Sequence, residues 1–564
     1  MRNFFLRVLT DFRDLYIATQ QPSNPHPETP QPRDRETTYY NPLGGIDMSV
    51  IAPAIDANPL REGLEQERVP DASCLVIFGA SGDLTQRKLI PALYSLAHDG
   101  LLPAGQTIIG YARPDYTDDA FRMAMREACD KFARVRPVDE AVWENFAKGL
   151  FFVRGEFGEH QGILRLKEKL EECDRTRGTG GRRIYYLAVP PNFFPVISEF
   201  LGREKMVNDP EQSGPFTRVI IEKPFGHDLA SAKELNRVAV STFRERQVFR
   251  IDHYLGKETV QNLLVLRFAN GIFEPFWNRQ YIDHVQVTVA ESIGVEKRGP
   301  YFETAGISRD IIQNHMLQLV SLIGMEPPVA FEADAVRDEK VKVLRALREF
   351  PRGRETEVAV RGQYTDGSVL GEKAIAYRKE VNVNPNSNVD TYAALKIFID
   401  NWRWADVPFY IRAGKRLPKR VTDISIHFRP APYPLFNKLT HVTMQPNVLA
   451  IRIQPDEGIS LKFDSKVPGP TVRTAPVTME FRYATSFGAE PPEAYERLLL
   501  ETMLGDSTLF ARRDEVETAW AWLDPLLNAW AADPIGPQLH SAGTWGPEAA
   551  DTLIERDGRK WRRP

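Results

Sequence analysis

Between Asp71 and Asp252 the chain alternates short runs of β-branched and aromatic residues with longer stretches of helical period, and few folds accommodate that rhythm. The runs are CLVIFG (74–79), TIIGYA (107–112), RIYYLAV (183–189), RVIIEK (218–223) and QVFRI (247–251). Segments of helical texture lie between them, such as Lys88 to His98, Asp118 to Phe132 and Leu229 to Arg246. Strands joined through helices build right-handed βαβ units and hence a parallel sheet. After about Asp252 the texture changes. HVQVTVAES (284–292), YAALKIFID (392–400), DISIHF (423–428) and LAIRIQP (449–455) read as strands without regular helices between them. That pattern predicts a large, mainly antiparallel sheet with helices on one side.

At 564 residues the chain exceeds what one hydrophobic core supports, so two domains are expected, 71–251 and 252–564. Residues 1–70 read as a flexible tail, because Gln20 to Arg35 carries five prolines among polar residues and cannot bury a core. Lysine and arginine total 72 against 76 aspartates and glutamates, a formal charge of −4. That balance gives no electrostatic footprint for nucleic acid or an anionic membrane, so an anionic substrate must be held by a local cluster. Cys74, Cys129 and Cys173 form neither a disulfide framework nor a paired metal signature, which points to a reducing, cytoplasmic setting. No apolar run approaches bilayer length, and no convincing metal-ligand cluster is visible.

The first apolar run leads straight into Gly79-Ala80-Ser81-Gly82-Asp83-Leu84, with helical texture beyond. Glycines at a strand-to-helix turn let the backbone approach a pyrophosphate seated on the helix N-terminus. A bare tight turn fits the same spacing; the strand before and helix after favour the dinucleotide. The second run ends at Arg113, where NAD-binding chains place a carboxylate for the ribose hydroxyls. An arginine there suits a 2′-phosphate, and hence NADP, although a solvated surface arginine is the commoner fate of the residue type.

Three further segments sit where strands end. In Ile221-Glu222-Lys223-Pro224 the proline stops the strand and leaves Lys223 facing the crevice. In RIDHYLGKE (250–258), a helix starting near Asp252 would bring His253, Tyr254 and Lys257 to one face, suited to a phosphate dianion or to local ion pairs alike. In RDIIQNH (309–315), Ile311, His315 and Leu319 recur every four residues, placing the histidine on the apolar face of a helix. That histidine is either a satisfied core residue or a general base with Asp252 or Asp310 fixing its tautomer.

Together GASGDL (79–84), EKPFG (222–226), RIDHYLGKE (250–258) and RDIIQNH (309–315) resemble the glucose-6-phosphate dehydrogenase family, and the likeness runs on through GKRLPKR (414–420) and PEAYERLLL (492–500). The resemblance implies a Rossmann-like dinucleotide-binding domain followed by an α+β domain with a large, mainly antiparallel sheet. It implies oxidation of the C1 hydroxyl of glucose 6-phosphate by NADP, giving 6-phosphoglucono-δ-lactone, and a homodimer or homotetramer. It makes His315 the base and Asp252 its orienting partner. It gives the 6-phosphate to His253, Tyr254 and Lys257, with Lys223 bridging substrate and cofactor, and the sugar hydroxyls to Glu291, Asp310, Lys415 and Gln454, with Arg420 near the substrate. Gly79, Ser81, Gly82, Asp83, Leu84, Lys88 and Arg113 fall to the cofactor, with backbone contacts near Ala188 and Pro190. One departure is Thr85-Gln86-Arg87, where many relatives have alanine followed by lysines. Two other readings stay open: an oxidoreductase of unphosphorylated sugars, for which the His253, Tyr254 and Lys257 cluster would be superfluous, and a silent NADP-binding scaffold, for which the base would be lost.

Overall fold

The computed structural model describes residues 69–209, 214–433, 435, 445–488 and 491–564. The tail expected over 1–70 therefore lies outside the described residues except for Val69 and Pro70.

Six parallel strands form the first sheet: β1 (Cys74–Phe78), β2 (Thr107–Ala112), β3 (Leu150–Arg154), β4 (Arg183–Leu187), β5 (Thr217–Ile221) and β6 (Val248–Ile251). Both faces of β1 are buried, which explains its unbroken apolar run. Leu75 and Ile77 pack with helices 90–98, 118–132 and 494–504, whereas Cys74, Val76 and Phe78 pack with helices 160–177 and 194–203. The three cysteines are free and buried.

The second sheet draws on β7 (Ile282–Ala290), β8 (Ala359–Thr365), β11 (Tyr392–Ile397), β12 (Phe409–Gly414), β13 (Val421–Phe428), β14 (Val448–Gln454), β15 (Gly458–Lys466), β16 (Thr474–Arg482) and β18 (Gln538–Ser541). Between these lie a two-stranded ribbon, β9 (Gly367–Val369) with β10 (Glu372–Ala374), and β17 (Phe510–Ala511). The nine-stranded order is β16-β15-β14-β13-β7-β12-β11-β8-β18. It is mainly antiparallel, but β7 runs parallel to β12 and β8 to β18. Val285, Val287 and Val289 face the main core, formed with helices 258–268, 317–324, 333–345 and 513–532. The opposite face is covered at its centre by helix 548–555 and Trp561.

The chain also returns to the first sheet. β17 adds antiparallel to the edge of β6, pairing Phe510 with Ile251, and helix 494–504 buries Leu498, Leu499 and Met503 against that sheet's core. Two helix boundaries depart from the periodicity. The segment expected from Lys88 begins earlier, as a wide π-type turn over Thr85–Leu89, and the one expected to Arg246 stops at Thr242 before a short 3-10 turn feeds β6. Among the described residues no helix is long and apolar enough to cross a membrane.

Candidate active site

Gly79 closes β1 with φ +91°, and a Cβ there would stand 2.3 Å from the Ala188 carbonyl oxygen, so only glycine lets β1 and β4 end this close. Thr85 explains the departure at 85–87: its buried hydroxyl donates to the Gly79 carbonyl at 3.3 Å, tying the loop to the helix start. Arg87 pairs with Asp83 at 2.7 Å, on the solvent side. Gly82, Asp83, Arg113 and Pro190 are exposed, and Ser81, Leu84 and Ala188 half-buried, around one end of the sheet. A glycine-lined turn, a helix start and a guanidinium one residue past β2 fit a dinucleotide carrying a 2′-phosphate. Lys88 follows in the same helix start and is half-buried. Its ammonium pairs with Glu493, the residue capping helix 494–504.

The helix expected from Asp252 does not form there. Asp252 Oδ1 accepts the Tyr254 N–H at 3.0 Å, stabilising a turn, and the helix begins at Glu258. His253, Tyr254 and Lys257 thus converge through a turn rather than a helix face. The stretch Ser308–Met316 is a π-type helix, a form that recurs at functional sites, and it buries His315 completely.

His315 Nδ1 lies 2.5 Å from Asp252 Oδ1, and its Nε2 lies 2.8 Å from the Lys223 ammonium. An ammonium can only donate, so Nε2 must accept and the ring proton sits on Nδ1, facing Asp252. The imidazole is therefore held in the tautomer a general base requires. Tyr254 stacks on it, ring centroids 4.2 Å apart and planes inclined by 17°. Burial pushes the His315 pKa below its ordinary value, against the pull of Asp252. Burial alone would raise the Asp252 carboxyl, but the adjacent His315 outweighs it and keeps the group ionised. Of the two carboxylates open from sequence, Asp252 is thus the one on Nδ1.

Asp310 lies on the other side of Lys223, accepting its ammonium at the backbone oxygen (3.1 Å) and at Oδ1 (3.3 Å). Tyr301 also donates to that Oδ1, at 3.1 Å. Lys415 pairs with Glu291 and stands 4.0 Å from Asp310 Oδ2, so these groups line one side of the base. On the other side, Lys257 donates to Gln454 Oε1 at 2.7 Å, and exposed Arg420 reaches the same oxygen at 3.4 Å. The Tyr254 hydroxyl accepts from Gln454 at 3.4 Å and meets Thr422 at 3.2 Å, so its oxygen is already engaged within the protein. Burial and the neighbouring His315 and Lys223 hold the His253 pKa well below normal. Lys257 and Arg420 bring basic side chains to this end.

Sequence reasoning missed Thr422, Tyr301 and a trio behind Lys223, in which Tyr186 and Tyr495 both donate to Glu222 Oε1, at 2.5 and 3.2 Å. Each belongs to a distant part of the chain, and no spacing rule links them. Asp252, His253 and His315 also bring candidate metal-ligand atoms within 4.8 Å of one another, a cluster the sequence did not reveal. The Lys223 ammonium at His315 Nε2 opposes a cation there.

A parallel sheet ending in a glycine-lined turn, beside a histidine held by an aspartate and surrounded by lysines, defines a nicotinamide-nucleotide-dependent oxidoreductase. Residues 76–262 match the family profile described as glucose-6-phosphate dehydrogenase, NAD binding domain, and residues 264–562 match its C-terminal domain. The glucose-6-phosphate 1-dehydrogenase of Chlamydia pneumoniae is 49% identical over 505 residues, 89% of this chain and 98% of that protein. Glucose-6-phosphate 1-dehydrogenase 2 of Mycobacterium tuberculosis is 46% identical over 510 residues, 90% and 98% of the two chains. A solved glucose-6-phosphate dehydrogenase in complex with its substrate glucose 6-phosphate superposes with a TM-score of 0.79 at 36% identity, covering 88% of this chain and all of the other. The chain belongs to the glucose-6-phosphate dehydrogenase family.

Proposed function

We propose that the chain oxidises D-glucose 6-phosphate at C1 to 6-phospho-D-glucono-1,5-lactone while reducing NADP to NADPH, the first oxidative step of the pentose phosphate pathway. The observation that carries the reading is His315, buried, proton-bearing at Nδ1 and accepting at Nε2 from the Lys223 ammonium, with Asp310 beside Lys223. His315 Nε2 takes the C1 hydroxyl proton, and Asp252 stabilises the imidazolium that results. Bound NADP supplies the hydride acceptor. Gly79, Ser81, Gly82, Asp83, Leu84 and Lys88 line the cofactor, Arg113 takes the 2′-phosphate, and Ala188 and Pro190 offer backbone. Lys223 leaves His315 Nε2 to reach between sugar and cofactor. Glu291, Asp310, Lys415 and Gln454 orient the sugar hydroxyls. His253, Tyr254 and Lys257 take the 6-phosphate, with Arg420 near the substrate, and binding energy gained far from C1 positions the reacting carbon.

In this reading 71–251 serves the cofactor and 252–564 serves substrate binding and self-association as a homodimer or homotetramer. The exposed outer strand β16, with Met479 63% accessible, supports self-association. Three free buried cysteines support a cytoplasmic location.

Absorbance at 340 nm with glucose 6-phosphate and NADP, alongside glucose and NAD controls and a His315→Asn variant, tests the reading. Reduction with the phosphorylated sugar, abolished in the variant, is expected. Equal rates with glucose would assign the site to unphosphorylated sugars, and no turnover from a folded, NADP-binding chain would make it a silent scaffold.

A further inference from the structure

The helix carrying Asp310 and His315 starts from a sharp turn held by a distant residue. Gly306 adopts φ +59° and ψ 179°, so the chain changes direction two residues before Ser308. Asp390, just ahead of β11, receives this turn. Its backbone oxygen accepts the Ile307 N–H at 2.8 Å, and its Oδ2 accepts both the Ser308 N–H at 3.0 Å and the Ser308 hydroxyl at 2.6 Å. A Cβ on residue 306 would lie 2.5 Å from Asp390 Oδ1, so the glycine and the carboxylate fit as a pair. Ser308 is wholly buried and Asp390 is 8% accessible, so water competes little for these bonds. The effect is an N-terminal cap supplied from 82 residues away.

The residue after the cap reaches the other side of the site. The Thr391 carbonyl accepts the Lys415 N–H at 3.0 Å. Two adjacent residues therefore hold the start of the helix bearing Asp310 and His315 and the backbone of Lys415, whose side chain pairs with Glu291.

We propose that Asp390, acting through Ser308, is a positioning residue that fixes His315 and Asp310 relative to Lys415 and so sets the approach of the base to the C1 hydroxyl. The proposal rests on the reading of His315 as that base. Near-attack geometry is sensitive to displacements of about 1 Å, which can cost about 10²-fold in rate. A rigid helix released at its first turn would transmit such a displacement to a residue two turns on.

The test uses the full chain with Asp390→Ala, Asp390→Asn, Ser308→Ala and His315→Asn. It measures kcat, both Michaelis constants, the NADP dissociation constant, the melting temperature, and the primary isotope effect on kcat with C1-deuterated glucose 6-phosphate. For Asp390→Ala, kcat is expected to fall about 10- to 100-fold, with NADP binding within about twofold of the parent because Asp390 bonds Ile307 and Ser308 rather than the cofactor turn. The isotope effect should rise as transfer from C1 becomes limiting. Asp390→Asn keeps an acceptor oxygen and should recover most of the rate, and Ser308→Ala should show a smaller loss in the same direction. An Asp390→Ala variant that melts earlier but keeps kcat and the isotope effect would overturn the proposal. Should that variant not fold, unchanged kcat and isotope effect in Ser308→Ala would overturn it equally. Parental turnover in His315→Asn would instead remove the base assignment itself.

Discussion

Asp252 uses one oxygen twice and the other not at all. Oδ1 accepts from His315 and from the Tyr254 backbone, while Oδ2 is buried without a hydrogen-bond partner among the described residues. In the proposed reaction the imidazole beside that carboxylate takes up positive charge and offsets its burial. Asp252→Asn removes that charge, and an amide N–H turned towards Nδ1 would move the ring proton to Nε2, where it blocks the base. We expect kcat to fall about 10²- to 10⁴-fold. The sign of the pH effect follows from the same contact. Asp252 raises a His315 pKa that burial has lowered, so its removal lowers that pKa further. The protonated ring is inactive, so the acid limb of kcat/KM should move to lower pH in the residual activity. Rate measurements across the acid range check this, and an unmoved limb with undiminished kcat would show that Asp252 does not govern the base. At this scale the motifs exposed His315 and Asp252, but spacing left two carboxylates open and only the family resemblance paired them, because 63 residues separate His315 from the one that reaches Nδ1. Thr422 and Asp390 stayed invisible because a lone polar residue in a strand or loop carries no periodic signal.

Strands were more legible than helix starts, for a physical reason. β1, β2 and β4 to β6 are buried on both faces, so their apolar runs are continuous, whereas a helix start is set by which backbone donors find a partner. At 252–257 the Asp252 side chain supplied that partner and made a turn. At 79–89 the Gly79 carbonyl accepts the Gly82 N–H at 2.9 Å and the Thr85 hydroxyl at 3.3 Å, and the helix opens wide. β3 (LFFVR), which follows the Lys148-Gly149 turn, was not read as a strand, and β17 was missed because two residues leave no pattern. The glycine turn tests whether this element is built for a ligand. Gly79→Ala must adopt a left-handed conformation, costing about 1–3 kcal/mol, and must also relieve a 2.3 Å approach to the Ala188 carbonyl oxygen. The end of β4 would have to retreat and widen the cofactor turn. We expect a lower melting temperature together with at least tenfold weaker NADP binding, read by calorimetric titration. Lost stability with unchanged NADP affinity would make the glycine a packing requirement alone.

Across the whole molecule, the strand pattern divides the chain near Asp252, but the packing does not respect that division. Helix 494–504 lies in the core of the first sheet, and Arg218 on β5 donates to the carbonyls of Thr502 and Met503 at its end, at 2.7 and 2.6 Å. Arg134 grips Glu496 on the same helix through two oxygens, at 3.1 and 2.9 Å. The helix also explains a glycine in the substrate turn. A Cβ on Gly256 would lie 2.6 Å from the Ala494 carbonyl oxygen and 2.9 Å from Leu498 Cγ, so the turn bearing His253 and Lys257 is pressed against it. Unfolding the first sheet must therefore release a segment tethered to the second, and the two halves should melt as one cooperative unit. Leu498, fully buried at this junction, is the residue to remove. Leu498→Ala should cost about 2–5 kcal/mol, and differential scanning calorimetry should show one endotherm displaced to lower temperature. Because Leu498 packs on the turn before Lys257, KM for glucose 6-phosphate should rise in the same variant while kcat changes little. A split endotherm, with the sugar KM unmoved, would mean that the returning helix decorates the first sheet rather than joining it to the substrate site.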